Sequence, residues 1–94
     1  MRRYAKLGQY PINLMSLPDL TAERAMFALD QLYLGVPYQV LRGKRIQGQR
    51  TVISIRVDHS YRLICRDGAD GVKPVEVVSH EVYDSGLAQR RWCK

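Results

Sequence analysis

The sequence predicts a small α+β fold, a twisted antiparallel β-sheet with one or two N-terminal helices packed on one face. Three observations predict it. Thr51–Val57 and Tyr61–Arg66 each alternate in character with a period of two, around the polar turn Asp58-His59-Ser60; that pattern is a β-hairpin. Leu20–Leu34 places apolar residues at spacings of three and four, the mark of an amphipathic helix. Pro74–His80 (PVEVVSH) alternates again and reads as a further strand. Ninety-four residues suit one domain, so residues 1–94 are read as a single unit.

At the N-terminus, Met1–Gln9 is basic at Arg2, Arg3 and Lys6. Residues 1–10 fit a basic arm or a first strand equally well. Pro11–Leu17 is apolar and closed by Pro18; one turn of helix or an extended segment would satisfy it. The helix follows, with Asp19 or Thr21 as N-cap and Glu23 in the first turn, where the helix dipole favours an acid. Its stripe is Ala22, Ala25, Met26, Leu29, Leu32 and Tyr33, best used to cover the apolar side of the hairpin. Gly35 supplies the stop, and Pro37 lies where the helix must already have ended.

Leu41–Arg50, LRGKRIQGQR, carries Arg42, Lys44, Arg45 and Arg50 with glycines at 43 and 48. It predicts a loop or an irregular edge whose backbone can approach a phosphate closely, though its spacing is not that of a P-loop. In the hairpin, Thr51, Ile53, Ile55, Val57, Tyr61, Leu63 and Cys65 form one face. Val52, Ser54, Arg56, Arg62, Ile64 and Arg66 form the other. Like charges on neighbouring strands repel unless an anion lies between them. Asp67–Gly71 is a turn. In the third run Val77 and Val78 stand back to back, which predicts burial on both faces and a central place in the sheet. Glu81–Lys94 is polar and basic, anchored by Tyr83 and Trp92, with residues 85–94 as the tail.

Charge narrows the partners. The formal net charge is +6. Arg42, Lys44, Arg45, Arg50, Arg56, Arg62 and Arg66 face a single acid, Asp58, within residues 42–66; seven minus one accounts for the whole +6. A charge concentrated in this way is the footprint of a polyanionic or acidic partner. Cys65 and Cys93 have no neighbour at metal-ligand spacing and suit a reduced, cytoplasmic compartment. Met1-Arg2-Arg3 leads into no apolar run, so no signal peptide is expected, and no stretch approaches the ~20 apolar residues of a membrane span.

No serine–histidine–acid set, carboxylate pair or HExxH motif occurs, and acids are scarce around the basic face, so neither a metal nor a cofactor is expected. Arginines, lysines, His80 and Tyr83 remain. That set suits metal-free cleavage of RNA, which carries its own 2′-OH nucleophile: the protein positions the phosphate, neutralises charge on its oxygens and moves protons. His59, in the turn, reads as merely solvated.

The order helix, Pro37-x-x-x-Leu41, LRGKRIQG, VISIRVDHSYRLICR and VEVVSHEVYD resembles the RelE/ParE superfamily of type II toxin–antitoxin toxins over about residues 12–84. The resemblance implies an endonuclease that cuts messenger RNA in the ribosomal A site, leaving a 2′,3′-cyclic phosphate and a 5′-hydroxyl. It makes Arg56 and Arg62 transition-state stabilisers, His80 the general acid or base, and Tyr83 a stacking or proton-transfer group. Lys44, Arg45 and Arg50, with Arg42 and Arg66, would hold the RNA backbone. It implies an acidic antitoxin as partner, with DNA reached only through the antitoxin complex. The chain departs from the pattern in its short N-terminal segment and single long helix. The superfamily also holds ParE-type members that poison DNA gyrase without cutting RNA, so a non-nuclease gyrase inhibitor is the alternative function, and a non-toxic basic nucleic-acid-binding module a third.

Overall fold

The computed structural model describes residues 4–7, 10–46, 49–69 and 71–83. Arg2, Arg3, Gly48, the tail with Trp92 and Cys93, and the side chain of Arg50 lie outside the described residues. The elements are β1 (Tyr4–Leu7), β2 (Tyr10–Asn13), α1 (Asp19–Tyr33), β3 (Gly43–Ile46), β4 (Gln49–Arg56), β5 (Tyr61–Gly68), β6 (Gly71–Ser79) and α2 (His80–Tyr83). The fold is α+β: β3-β4-β5-β6 form a four-stranded antiparallel sheet, and β1 and β2 pair separately as an antiparallel hairpin. The basic N-terminal segment therefore contributes a strand, and Pro11–Leu17 begins extended in β2.

The hairpin at the centre is as its alternation requires. Arg56 pairs with Arg62, Ile55 with Leu63 and Ile53 with Cys65. Ile53, Ile55, Leu63 and Cys65 form one core with Ala22, Ala25, Ala28 and Leu29 of α1 and with Ile12, Leu14 and Leu17. Three alanines make up much of the buried face of the helix. Burial pushes the Cys65 thiol up to about 12, so it packs as a small apolar side chain.

Three features of α1 differ from expectation. Its N-cap is Pro18, with no side-chain cap bond; neither Asp19 nor Thr21 fills that role. Thr21 is inside the helix and buried, and its hydroxyl donates to Asp58 Oδ2 at 2.6 Å. Tyr33, assigned to the stripe, is 71 % exposed, although Leu32 beside it packs against the core. The stop itself holds: Leu34 is the C-cap and Gly35 takes φ +90°, a conformation open to glycine at no steric cost.

Of the two readings of LRGKRIQGQR, loop or irregular edge, the edge holds: Gly43–Ile46 form the short edge strand β3. Lys44 pairs with Ser54 and Arg45 with Ile53, and the register shifts between Arg45 and Ile46. Gly43 has a packing role here. A Cβ on it would lie 2.8 Å from the Tyr38 carbonyl oxygen and 2.9 Å from Ile55 Cγ1, so its closeness is to protein rather than to a ligand.

The third alternating run, extended to Gly71–Ser79, is the last strand of the four-stranded sheet, not a central one. Its double-sided burial has a different origin. Val77 packs against the α1-side core, while Val78 joins a second cluster with Ile46, Val52 and Ile64 on the opposite face. The register shifts where Cys65 meets Pro74, a place that tolerates proline's missing N–H.

Candidate functional site

The candidate site is at the end of the sheet where β4 turns into β5 and β6 runs into α2. Asp58 builds the turn. Its Oδ1 accepts the amide N–H groups of Ser60 and Tyr61 at 2.8 and 2.9 Å, and its Oδ2 accepts the Thr21 hydroxyl. Burial alone would raise its pKa; these hydrogen bonds, together with the nearby Arg24 charge, outweigh burial and hold it below the usual carboxylate value of 3.8. The folded protein therefore keeps Asp58 ionised to lower pH than the unfolded chain does. That contribution to stability is complete above pH 3.8 and is lost as the pH falls through the lower folded value. Thr21→Val removes one of the bonds, so the loss of stability between about pH 6 and about pH 3 is smaller in the variant than in the wild type when urea midpoints are compared.

On the other side of the turn, the Ser60 carbonyl accepts the His80 amide N–H at 2.6 Å. Ser79 Oγ accepts the Val82 amide N–H at 3.2 Å, capping α2 and ending the strand in a single step. His80 is the first residue of α2 and exposed, so it begins a helical turn instead of ending the strand. Tyr83 follows one turn later. Its ring packs on Ile46, Val52, Ile64 and Val78, with the Arg62 Cζ 5.7 Å from its centroid, within cation–π range. Arg62 Nη1 donates to the carbonyls of Asp58 and Tyr61 at 3.1 and 3.2 Å. Arg62 and Tyr83 thus meet at one end of the sheet, and the His80 backbone is tied through Ser60 to the turn beside them.

Arg56 has a different neighbourhood. Its Nη2 lies 2.9 Å from His59 Nδ1. Arginine has only donors, so His59 accepts here through Nδ1. β3 ends its pairing at Ile55, leaving Arg56 at an open edge. There it lines a cleft with Arg24, Arg42, Val57, Asp58 and His59. Arg24 and His59 were not singled out by the sequence as part of a site. Arg24 stands on the outer face of a helix, and His59 resembles any turn histidine. Arg42 has φ +64°, left-handed backbone that costs a non-glycine residue about 1–2 kcal/mol. A second, more apolar cleft runs on from this one between Leu20, Phe27, Val40 and Leu41, sharing Arg24, Arg42 and Arg56; Phe27 and Val40 are largely exposed.

The remaining basic residues do not gather into one concavity. Lys44 is exposed and shares its side of the sheet with Ser54, and so with Arg56 and Arg62. Arg66 pairs with Val52 and Lys73, four residues along β5 from Arg62. At ~3.3 Å per residue they are ~13 Å apart, and Ile64 stands between them over the apolar cluster. Arg45 is on the α1 side: its Nη2 binds Asp67 Oδ2 at 2.6 Å and its guanidinium lies 5.7 Å from the Tyr38 ring. Its charge is already matched by an acid just outside the window in which Asp58 stood alone.

A family model described as a ParE-like toxin domain matches residues 20–85, from the first turn of α1 to just past α2. The chain belongs to this family. No curated protein and no solved structure matches it. The match makes the chain a toxin of a toxin–antitoxin system, with an antitoxin as its partner. The end of the sheet built by Asp58, Ser60 and Ser79 lies inside the matched region of this ParE-like toxin, as do both clefts. No helix among the described residues is long and apolar enough to cross a membrane.

Proposed function

We propose that this single-domain ParE-like toxin is a ribosome-dependent mRNA endonuclease and that the Arg62–His80–Tyr83 end of the sheet carries its chemistry. The observation that supports this most is the pair of contacts at the turn: the Ser60 carbonyl anchors the His80 amide, and the Arg62 guanidinium lies against the Tyr83 ring. An imidazole, a guanidinium and a phenol are groups that suit 2′-OH attack on the adjacent phosphodiester. His80 moves a proton as general acid or base. Arg62, with Arg56 across the strand pair, stabilises charge on the phosphorane-like oxygens, and losing one such donor costs ~10²–10³ in rate. Tyr83 stacks on a base or assists proton transfer. Lys44 and, farther along the same face, Arg66 contact RNA backbone, whereas Arg45, on the α1 side and paired with Asp67, does not. An acidic antitoxin segment covers the basic face in the inactive complex, and the toxin acts in the cytoplasm.

The matched family model favours a second reading, because it describes a ParE-like domain: inhibition of DNA gyrase without RNA cleavage. Mapping the 5′ ends of cellular mRNA after induction separates the two. Discrete, codon-phased cuts are expected. DNA damage with intact mRNA would replace the nuclease reading with the gyrase one.

A further inference from the structure

We propose that Arg24, Arg42, Arg56 and His59 form a binding site for a phosphate monoester or free phosphate dianion, beside the Arg62–His80–Tyr83 centre and sharing Arg56 with it. Three guanidiniums from three parts of the chain line one cleft of about 510 Å³: α1 supplies Arg24, the turn into β3 supplies Arg42, and the end of β4 supplies Arg56. None of the three takes part in an ion pair among the described residues. The single acid of the lining, Asp58, is committed: both its oxygens already accept hydrogen bonds from Thr21, Ser60 and Tyr61.

The hydrogen-bond logic is equally one-sided. Arg56 donates to His59 Nδ1, which leaves the neutral ring's proton on Nε2 as a further donor. Apart from Asp58 the charged side chains of the site are donors, so its complement is an anion rich in acceptors. Arg42 adds an independent sign. An arginine held at φ +64°, where glycine or asparagine would be cheaper, is a strained residue of the kind that collects at ligand sites.

Charge decides between phosphate and carboxylate. One carboxylate offers a single negative charge to three guanidiniums. A phosphate monoester carries about −1.5 to −2 at neutral pH and three acceptor oxygens, and arginine's planar fork meets it in bidentate fashion. Arg56 is common to this site and the proposed cleavage centre, but Arg24 and His59 have no part in that chemistry, so phosphate binding is read without RNA cleavage.

Calorimetric titration of the folded full chain with inorganic phosphate, a nucleoside 5′-monophosphate and the unphosphorylated nucleoside tests the assignment. The first two are expected to bind and the third not to. Equal affinities assign free phosphate as the source; a tighter nucleotide assigns the phosphate of a nucleotide. Arg24→Gln and Arg42→Gln should each weaken phosphate binding about tenfold or more, whereas Lys73→Gln, on the far part of the sheet, should not. Shifts of the His59 ring proton resonances on phosphate addition to the wild type give a readout that no variant's folding affects. Absence of phosphate binding, binding undiminished in folded Arg24→Gln and Arg42→Gln, unshifted His59 resonances, or acetate competing as well as phosphate at equal ionic strength would each overturn the proposal, the last by assigning the cleft to carboxylates of an acidic protein.

Discussion

Replacing His80 with alanine is expected to abolish growth arrest and leave the fold intact. The two halves of that result have separate causes. The backbone N–H at position 80 is donated to the Ser60 carbonyl, and alanine keeps that bond. Ser79 still caps α2, and the exposed imidazole buries too little to matter, so stability should change by no more than ~0.5 kcal/mol. Proton transfer by a positioned histidine contributes ~10²–10⁴ in rate, enough to separate a lethal enzyme from a harmless one. Growth after induction, measured beside the thermal melt of the purified variant, checks both halves. A fully toxic His80→Ala protein would remove His80 from the mechanism.

The largest effect on stability is expected at Leu63. It is fully buried in β5, pairs with Ile55 on one side and Val77 on the other, and lies in the core against α1. Leu63→Ala loses the transfer energy of the side chain and leaves a cavity that two β-branched neighbours cannot collapse into. A cost of about 3–4 kcal/mol follows. A domain of 94 residues has only ~5–14 kcal/mol in total, so the variant should melt roughly 15–25 °C lower. Thermal unfolding followed by circular dichroism measures it; a shift of a few degrees would mean that the α1–sheet contact is looser than its burial implies.

These two residues differ in how much of their role the sequence carries. Leu63 belongs to a run whose alternation is local and uninterrupted, and the same is true of Ile53, Ile55 and Cys65. A period of two needs no distant information, so the hairpin, its two faces and its turn were legible. So were α1 and its stop at Gly35. β3 was legible only as a loop or an irregular edge: Lys44 and Arg45 sit on opposite faces of an edge strand, yet both are charged, so no alternation survives. The place of β6 was not legible, because burial on both faces follows from Val77 and Val78 meeting two different clusters.

The candidate site was legible as composition and not as arrangement. Arg62 and Tyr83 meet, as their placement on one strand face and just after the next strand allowed. Arg45 pairs with Asp67 across 22 residues, and Arg56 turns to His59 and toward Arg24. Such contacts depend on which strand is an edge and where a helix crosses it, and neither leaves a mark in local spacing. The basic residues therefore divide into Arg62 against Tyr83 at the start of α2, an Arg24–Arg42–Arg56 cleft and a distant Arg66.

Sequencing the fragment ends left on ribosome-bound mRNA by the purified chain bears most directly on the chemistry assigned to the first of these. Fragments bearing a 2′,3′-cyclic phosphate and a 5′-hydroxyl, produced by the wild type and missing with His80→Ala, are the predicted result. Uncut mRNA from a folded wild-type chain, or fragments carrying 5′-phosphates, would contradict it.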